Sequence, residues 1–111
     1  MSYPFPSAEA AWFWTSAMLE CRRDARIPPP PPAPCEPEQI LRHIDSLYRS
    51  RRIVLLHAHV LRIYGRRGRA PSAIYPRERC DHILWTEAMR GLDAKLRRAG
   101  LIADPFAAAA E

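Results

Sequence analysis

The sequence predicts an all-α protein, a small bundle of about four helices. Apolar residues recur at helical spacing in four stretches, and residues suited to helix ends bound each of them. No stretch shows the alternation of apolar and polar residues that a half-buried strand requires. At 111 residues, 48% of them hydrophobic, the chain is long enough for one domain and short for two. We expect one domain over 1–111, with an arm at 1–6, a proline-rich spacer at 27–34, a core at 35–102 that contains a basic loop at 65–75, and a flexible tail at 103–111.

The first predicted helix is strongly aromatic. Ser7 can cap a helix that runs from Ala8 to about Arg26, and Glu9 suits its first turn. Its apolar stripe comprises Ala11, Trp14, Met18 and Cys21, with Trp12, Phe13 and Leu19 beside it. So much aromatic surface predicts core packing. The alternative is a partner groove formed by Trp12, Trp14 and Trp85.

A proline-rich segment follows the first helix. Six of the eight residues from 27 to 34 are proline, and five of them are consecutive. Such a run imposes polyproline II, about 3.1 Å per residue, and therefore a stiff rod of roughly 15 Å. We expect a rigid spacer that separates the first helix from the rest. Arg26, Pro29 and Pro32 also have the spacing of a ligand for proline-recognition domains, which is the alternative.

The second and third helices form a predicted corner. Pro37 suits the first position of a helix, and Gln39 can reach back to its start. The stripe of this helix comprises Ile40, Leu41, Ile44, Leu47 and Tyr48. After a stop near Ser50, the run from Ile53 to Tyr64 is apolar on most sides, which predicts a central helix buried among others. Gly65 stands where a left-handed C-cap is expected.

The last predicted helix is the longest. Pro76 suits its first turn, the helix extends to about Arg98, and Gly100 can cap it. Its apolar stripe comprises Cys80, Ile83, Leu84, Ala88, Leu92, Leu96 and Ala99, with Trp85 and Met89 beside it. Gly91 indicates either a kink or a close helix contact. We expect Leu101 and Ile102 to fold back onto the core.

Positive charge is concentrated in the middle of the chain. The formal net charge is +5, and sixteen of the seventeen basic residues are arginine. Ten arginines lie between Arg42 and Arg79, against two acidic residues, so the flanks are net acidic. A local basic field attracts nucleic acid, an anionic membrane or an acidic partner. The arginines that we expect to bind nucleic acid are Arg51, Arg52, Arg66, Arg67, Arg69, Arg77 and Arg79.

Several other functions are not indicated. The three cysteines have no C-x-x-C spacing, which argues against a disulfide framework and a zinc site. His57 and His59 are two residues apart, so on a helix they point to different faces. We therefore expect no catalysis, no metal and no cofactor. The amino terminus does not resemble a secretory signal, and no apolar run reaches the ~20 residues that span a bilayer, which predicts a cytoplasmic protein without a membrane partner.

Two helices, an irregular basic connection and a further helix can form a helix-turn-helix arrangement. Arg77, Glu78, Arg79 and His82 would then begin the recognition helix, although the eleven-residue connection 65–75 is longer than the usual turn. This interpretation favours a small DNA-binding regulatory protein, with RNA as the less favoured nucleic acid. The alternative is a protein–protein interaction module or adaptor that uses the aromatic groove or the proline-rich segment. A basic face that is merely solvated is a third interpretation.

Three resemblances accompany these patterns. The stretch Arg67-Gly68-Arg69-Ala70-Pro71 resembles the Arg-Gly-Arg-Pro core of AT-hook peptides, with one residue inserted before the proline. Four further stretches are similar to small uncharacterised helical proteins of alphaproteobacterial type, a resemblance that implies no activity: Trp12–Trp14, Pro34–Pro37, Tyr64–Gly65 and Leu84–Met89. In architecture alone, the chain faintly resembles sigma-region-4-type helix-turn-helix regulators.

Overall fold

The structure, a computed structural model, describes residues 4–103 and is all-α. It contains four helices, α1 (Ala8–Arg23), α2 (Pro37–Arg49), α3 (Leu55–Arg67) and α4 (Arg79–Arg98), with a 3₁₀ turn at Pro76–Glu78. Over the described range, the only β pairing is an isolated bridge between Phe5 and Ile102. The predicted fold class is confirmed. The first three residues of the predicted arm and residues 104–111 of the predicted tail lie outside the described residues.

The helix starts are set by local hydrogen bonds. The Ser7 hydroxyl accepts the N–H of Ala10 at 3.1 Å, as predicted. Pro37 opens α2, and the Glu36 N–H donates to the side-chain oxygen of Gln39 at 3.0 Å, also as predicted. The start of α3 uses a group that the sequence analysis missed. There the Val54 N–H donates to Nδ1 of the buried His57 at 3.0 Å, which leaves the proton on Nε2.

Helix α1 packs against each of the other three helices. It runs alongside α3 in the same direction, because Trp12 reaches the Leu61 carbonyl at 2.8 Å and Ser16 lies opposite Gly65. The proline-rich segment follows α1 in sequence, but α1 is not held apart from the other helices. The Trp14 indole N–H donates to the Pro31 carbonyl at 2.9 Å, so the segment is held against α1. The contacts of α1 with the other three helices bury its aromatic face.

Helices α3 and α4 are antiparallel neighbours. The Tyr64 hydroxyl near the end of α3 donates to Asp81 near the start of α4 at 2.8 Å. Toward the start of α3, Nε2 of His57 lies 3.6 Å from the Glu87 carboxylate in the middle of α4. The end of α3 and the start of α4 therefore lie at the same end of the bundle.

The predicted C-cap of α3 is wrong. Gly65 lies inside the helix, and Gly68 is the left-handed cap, with φ 72°. Gly65 is required for a different reason. A Cβ atom there would lie 2.3 Å from Oγ of Ser16 and 2.9 Å from Nε1 of Trp12. Its missing side chain allows α1 and α3 to approach closely.

The burial predicted for α3 is also wrong at its first turn. Leu55 is 71% exposed and Leu56 64% exposed, because α1 and α4 cover only the opposite side of this helix. On α4, Trp85 and Met89 are buried, whereas Ile83 is 58% exposed. The core-facing stripe of α4 comprises Trp85, Ala88, Met89, Leu92 and Leu96.

Both ends of the described chain join the core. The Phe5 N–H donates to the Leu101 carbonyl at 2.8 Å, and the Phe5 carbonyl accepts from Ala103 at 2.9 Å. The side chains of Phe5, Leu101 and Ile102 are buried. The predicted return of Leu101 and Ile102 is confirmed. Within the predicted arm, Phe5 is held in place by the bridge to Ile102 and by its contact with the ring of Trp14.

Candidate nucleic-acid interface and a basic-rimmed groove

Five of the seven predicted arginines lie at one end of the bundle, where α3 ends and α4 begins. We call this surface the arginine end; it comprises Arg66, Arg67, Arg69, Arg77 and Arg79. Its centre is the buried Tyr64, whose ring centroid lies 5.1 Å from the guanidinium of Arg67 and 5.8 Å from that of Arg69. Burial, together with the hydrogen bond to Asp81, raises the pKa of the Tyr64 hydroxyl. The tyrosine therefore stays neutral and supports two cations over its ring.

One arginine of this surface is held by an acidic partner. Both terminal nitrogens of Arg69 donate to the Glu78 carboxylate at 3.0 Å, and the Ser72 N–H donates to the same carboxylate at 2.8 Å. The Arg69 hydrogen bonds, aided by the one from Ser72, lower the pKa of Glu78 to about 2. This arrangement ties the connection 68–75 to the start of α4. It also occupies the guanidinium fork of Arg69.

The remaining arginines of the arginine end differ in whether a carboxylate of the chain lies close to them. Arg66 lies 3.5 Å from the Glu20 carboxylate of α1. Arg67, Arg77 and Arg79 are exposed and have no carboxylate within ion-pair distance among residues 4–103. Arg67 is helical and Gly68 is left-handed, so the stretch that resembles an AT-hook is not extended at these two residues.

Arg51 and Arg52 are not part of this surface. They lie in the corner between α2 and α3, next to the first turn of α3. The rise from Leu55 to Arg67 places the two ends of α3 about 18 Å apart. Arg51 also has a left-handed backbone, with φ 62°. The structure therefore brings five of the predicted arginines together and leaves two at the opposite end of the helix.

The predicted groove of three tryptophans is not formed. Trp12 and Trp85 are only 7% and 2% exposed, because both rings pack in the core. The Trp85 indole N–H donates to Glu9 at 2.7 Å, and its ring stacks on Phe13 at 5.6 Å between centroids. Trp14 holds the proline-rich segment. In the predicted proline-recognition motif, Arg26 is paired with Asp24 at 2.9 Å.

A different groove opens between α1, α2 and α3. It has a volume of about 720 Å³, an apolar floor and a rim of arginines. The sequence analysis missed it because its walls come from three helices whose mutual packing no local pattern encodes. One signal was present: Leu55 and Leu41 are apolar residues on helix faces that the core does not fully cover.

Histidine and cysteine side chains do not converge elsewhere. Within the described part of the chain, no group of three or more His, Cys, Asp or Glu residues is placed to hold a metal ion. The three cysteines are free thiols. No helix between residues 4 and 103 is both long and apolar enough to cross a bilayer.

No known protein family matched this chain, and neither did any curated protein or solved structure. The fold and its surfaces define a small, basic, all-α protein with an arginine end and a basic-rimmed groove. Its function is therefore interpreted from its own geometry.

Proposed function

We propose that this chain is a small regulatory protein that binds nucleic acid, with DNA favoured, through the arginine end. One observation supports this most directly: Arg67, Arg77 and Arg79 are exposed at the same end of the bundle and have no carboxylate partner among the described residues. A phosphate can accept two parallel hydrogen bonds from each such guanidinium. The proposal needs no catalytic group and no cofactor, and it fits a cytoplasmic protein.

The start of α4 adds to this attraction. The positive end of its helix dipole lies beside Arg77 and Arg79, although Asp81 in the first turn opposes it. If α4 enters a groove of DNA as a recognition helix, its first residues contact base edges. Arg51 and Arg52, about 18 Å away along α3, would contact the backbone separately.

The first test replaces Arg67, Arg77 and Arg79 together with alanine. A control of equal charge replaces Arg42, Arg90 and Arg98, which are exposed and lie outside the arginine end. We expect the first variant to bind a fluorescent duplex at least tenfold more weakly and the control to change little. The slope of log affinity against log salt should flatten by about 2–3 in the first variant, because three phosphate contacts are lost. Equal losses in both variants would show that only net charge matters.

The second test changes charge in the opposite direction. Glu78→Gln releases Arg69 from its carboxylate and removes a negative charge from the arginine end. We expect affinity for the same duplex to rise several-fold at low salt and the gain to shrink at high salt. Glu87→Gln is the control, since Glu87 lies toward the other end of α3. Parallel titrations with structured RNA establish which nucleic acid is preferred.

A further inference from the structure

The groove between α1, α2 and α3 is open, apolar at its floor and basic at its rim. Leu19, Leu41, Ile44 and Ala58 are half-buried along it, and Leu55 is 71% exposed at one end. A surface concentration of large apolar side chains is typical of a docking site. The volume, about 720 Å³, is within the range of sites that take a ligand or a peptide.

The walls of the groove have the length of a short helix. Lining residues extend from Trp12 to Arg23 on α1 and from Leu55 to Arg66 on α3. At 1.5 Å per residue, each wall is roughly 16 Å long, which equals about three turns of an α-helix. Helices α1 and α3 run in the same direction and touch at Trp12 with Leu61 and at Ser16 with Gly65, so the two walls are offset along their axes. Leu55 therefore lies at one end of the groove and Arg23 at the other. An amphipathic helix that presents apolar residues at i, i+3, i+4 and i+7 fits such a groove.

The rim carries an excess of positive charge. Arg22 is already paired with Glu38, which lies outside the groove. Arg23 and Arg66 share one acid, Glu20, at 3.5 Å each. Arg62 has no carboxylate partner among the described residues. The rim therefore has three other arginines and only one carboxylate to pair with them, and a negatively charged partner would supply the missing carboxylates.

We infer that this groove binds an acidic amphipathic α-helix of a partner protein. The apolar face of that helix would lie on Leu19, Leu41, Ile44 and Leu55, and its carboxylates would meet Arg23, Arg62 and Arg66. An open groove with an arginine rim suits an acidic helix better than a single acyl chain, which an enclosed cavity would hold. The groove does not include Arg67, Arg77 or Arg79, and Arg66 is the residue that it shares with the arginine end.

A helical peptide library provides the test. Each peptide has 14 residues, apolar residues varied among Leu, Ile, Met, Phe and Trp at the four contact positions, and Asp or Glu on the other face. Binders are selected on the wild-type protein and measured by fluorescence anisotropy. The decisive comparison is Leu55→Gln against Leu56→Gln. Both side chains are exposed on the same turn of α3, but only Leu55 lines the groove.

We expect selected peptides to bind Leu55→Gln about tenfold more weakly and Leu56→Gln with unchanged affinity. Arg62→Gln should weaken binding several-fold, and peptides with lysine in place of the acids should not bind. The inference is overturned if no peptide distinguishes the two leucine variants, or if lysine peptides bind equally well. It is also overturned if palmitate binds one to one and displaces every peptide, which would assign the groove to a lipid. Duplex binding measured on Leu55→Gln tests the arginine end independently and should stay at the wild-type level.

Discussion

Glu78 is the residue on which the order of the connection 68–75 depends. It accepts from both terminal nitrogens of Arg69 and from the Ser72 N–H, and its pKa falls to about 2. A carboxyl whose pKa is lower in the folded protein stabilises it above the unfolded pKa, near 4.5, and loses that contribution as the pH falls through about 2. The acid therefore acts as a structural anchor at physiological pH.

We predict that Glu78→Gln lowers the melting temperature at pH 7 and that this difference shrinks between pH 4.5 and 2. Circular-dichroism melts of both proteins from pH 2 to 7 provide the measurement. The sign follows from the depressed pKa, because protonation of Glu78 at low pH removes the same interaction that the substitution removes. A difference that stays constant down to pH 2 would contradict the anchoring role of the carboxylate.

Two glycines, one inside α3 and one at its C-cap, have different roles. Gly65 is in a close contact with α1, whereas Gly68 has a positive φ with no atom within 4 Å of an added Cβ. We predict that Gly65→Ala costs about 1–3 kcal/mol, since Trp12 is fixed by its bond to Leu61 and cannot withdraw. Gly68→Ala should cost about 1 kcal/mol through backbone strain alone. Urea denaturation measures both, and a larger loss at Gly68 would contradict the contact.

At the scale of the helices, sequence patterns predicted the existence of all four helices and the starts of α1 and α2. Ser7, Pro37 and Gln39 act within four residues of their partners, so local chemistry decides them. Whether Leu55 is buried depends on which side of α3 meets α1 and α4, and that is a property of packing. Gly65 also shows the effect of packing. Its position in the sequence suits a helix cap, but glycine is required there because Ser16 and Trp12, about fifty residues away in sequence, leave no room for a Cβ atom.

The position of the proline-rich segment also could not be predicted from local sequence. Five consecutive prolines predict a stiff backbone, and nothing in them indicates where that rod lies. Its position is set by Trp14, which donates to the Pro31 carbonyl, and by Arg22, which pairs with Glu38 at the start of α2. The first helix therefore belongs to the bundle, and the segment crosses its surface.

At the scale of the whole molecule, the predicted concentration of charge is only partly reproduced. Arginines distant by ten or more residues, such as Arg67 and Arg79, converge because α3 and α4 are antiparallel. Arg51 and Arg52 are similarly far from Arg66 in sequence, but they lie at the opposite end of α3. The sequence predicted one basic patch, but the length of α3 places Arg51 and Arg52 far from the other arginines. The groove was missed because it exists only where three helices diverge.

The two ends of the described chain close the bundle. Phe5 is 6% exposed, and its ring centroid lies 5.4 Å from that of Trp14. Its backbone joins Leu101 and Ala103. We predict that Phe5→Ala lowers the free energy of unfolding by about 3 kcal/mol, because it leaves a cavity in the core while the backbone bonds remain. That loss is a large part of the roughly 5–15 kcal/mol typical of a domain.

Ile83→Ala is the matched control for Phe5→Ala, since Ile83 is apolar but 58% exposed on α4. It should change the free energy of unfolding by less than about 0.5 kcal/mol. Urea denaturation of both variants provides the comparison, with an unchanged m-value indicating that the transition stays two-state. If Phe5→Ala is as mild as Ile83→Ala, the amino-terminal residues do not support the core. A loss confined to Phe5→Ala would establish that the fold is closed through its ends as well as through its helices.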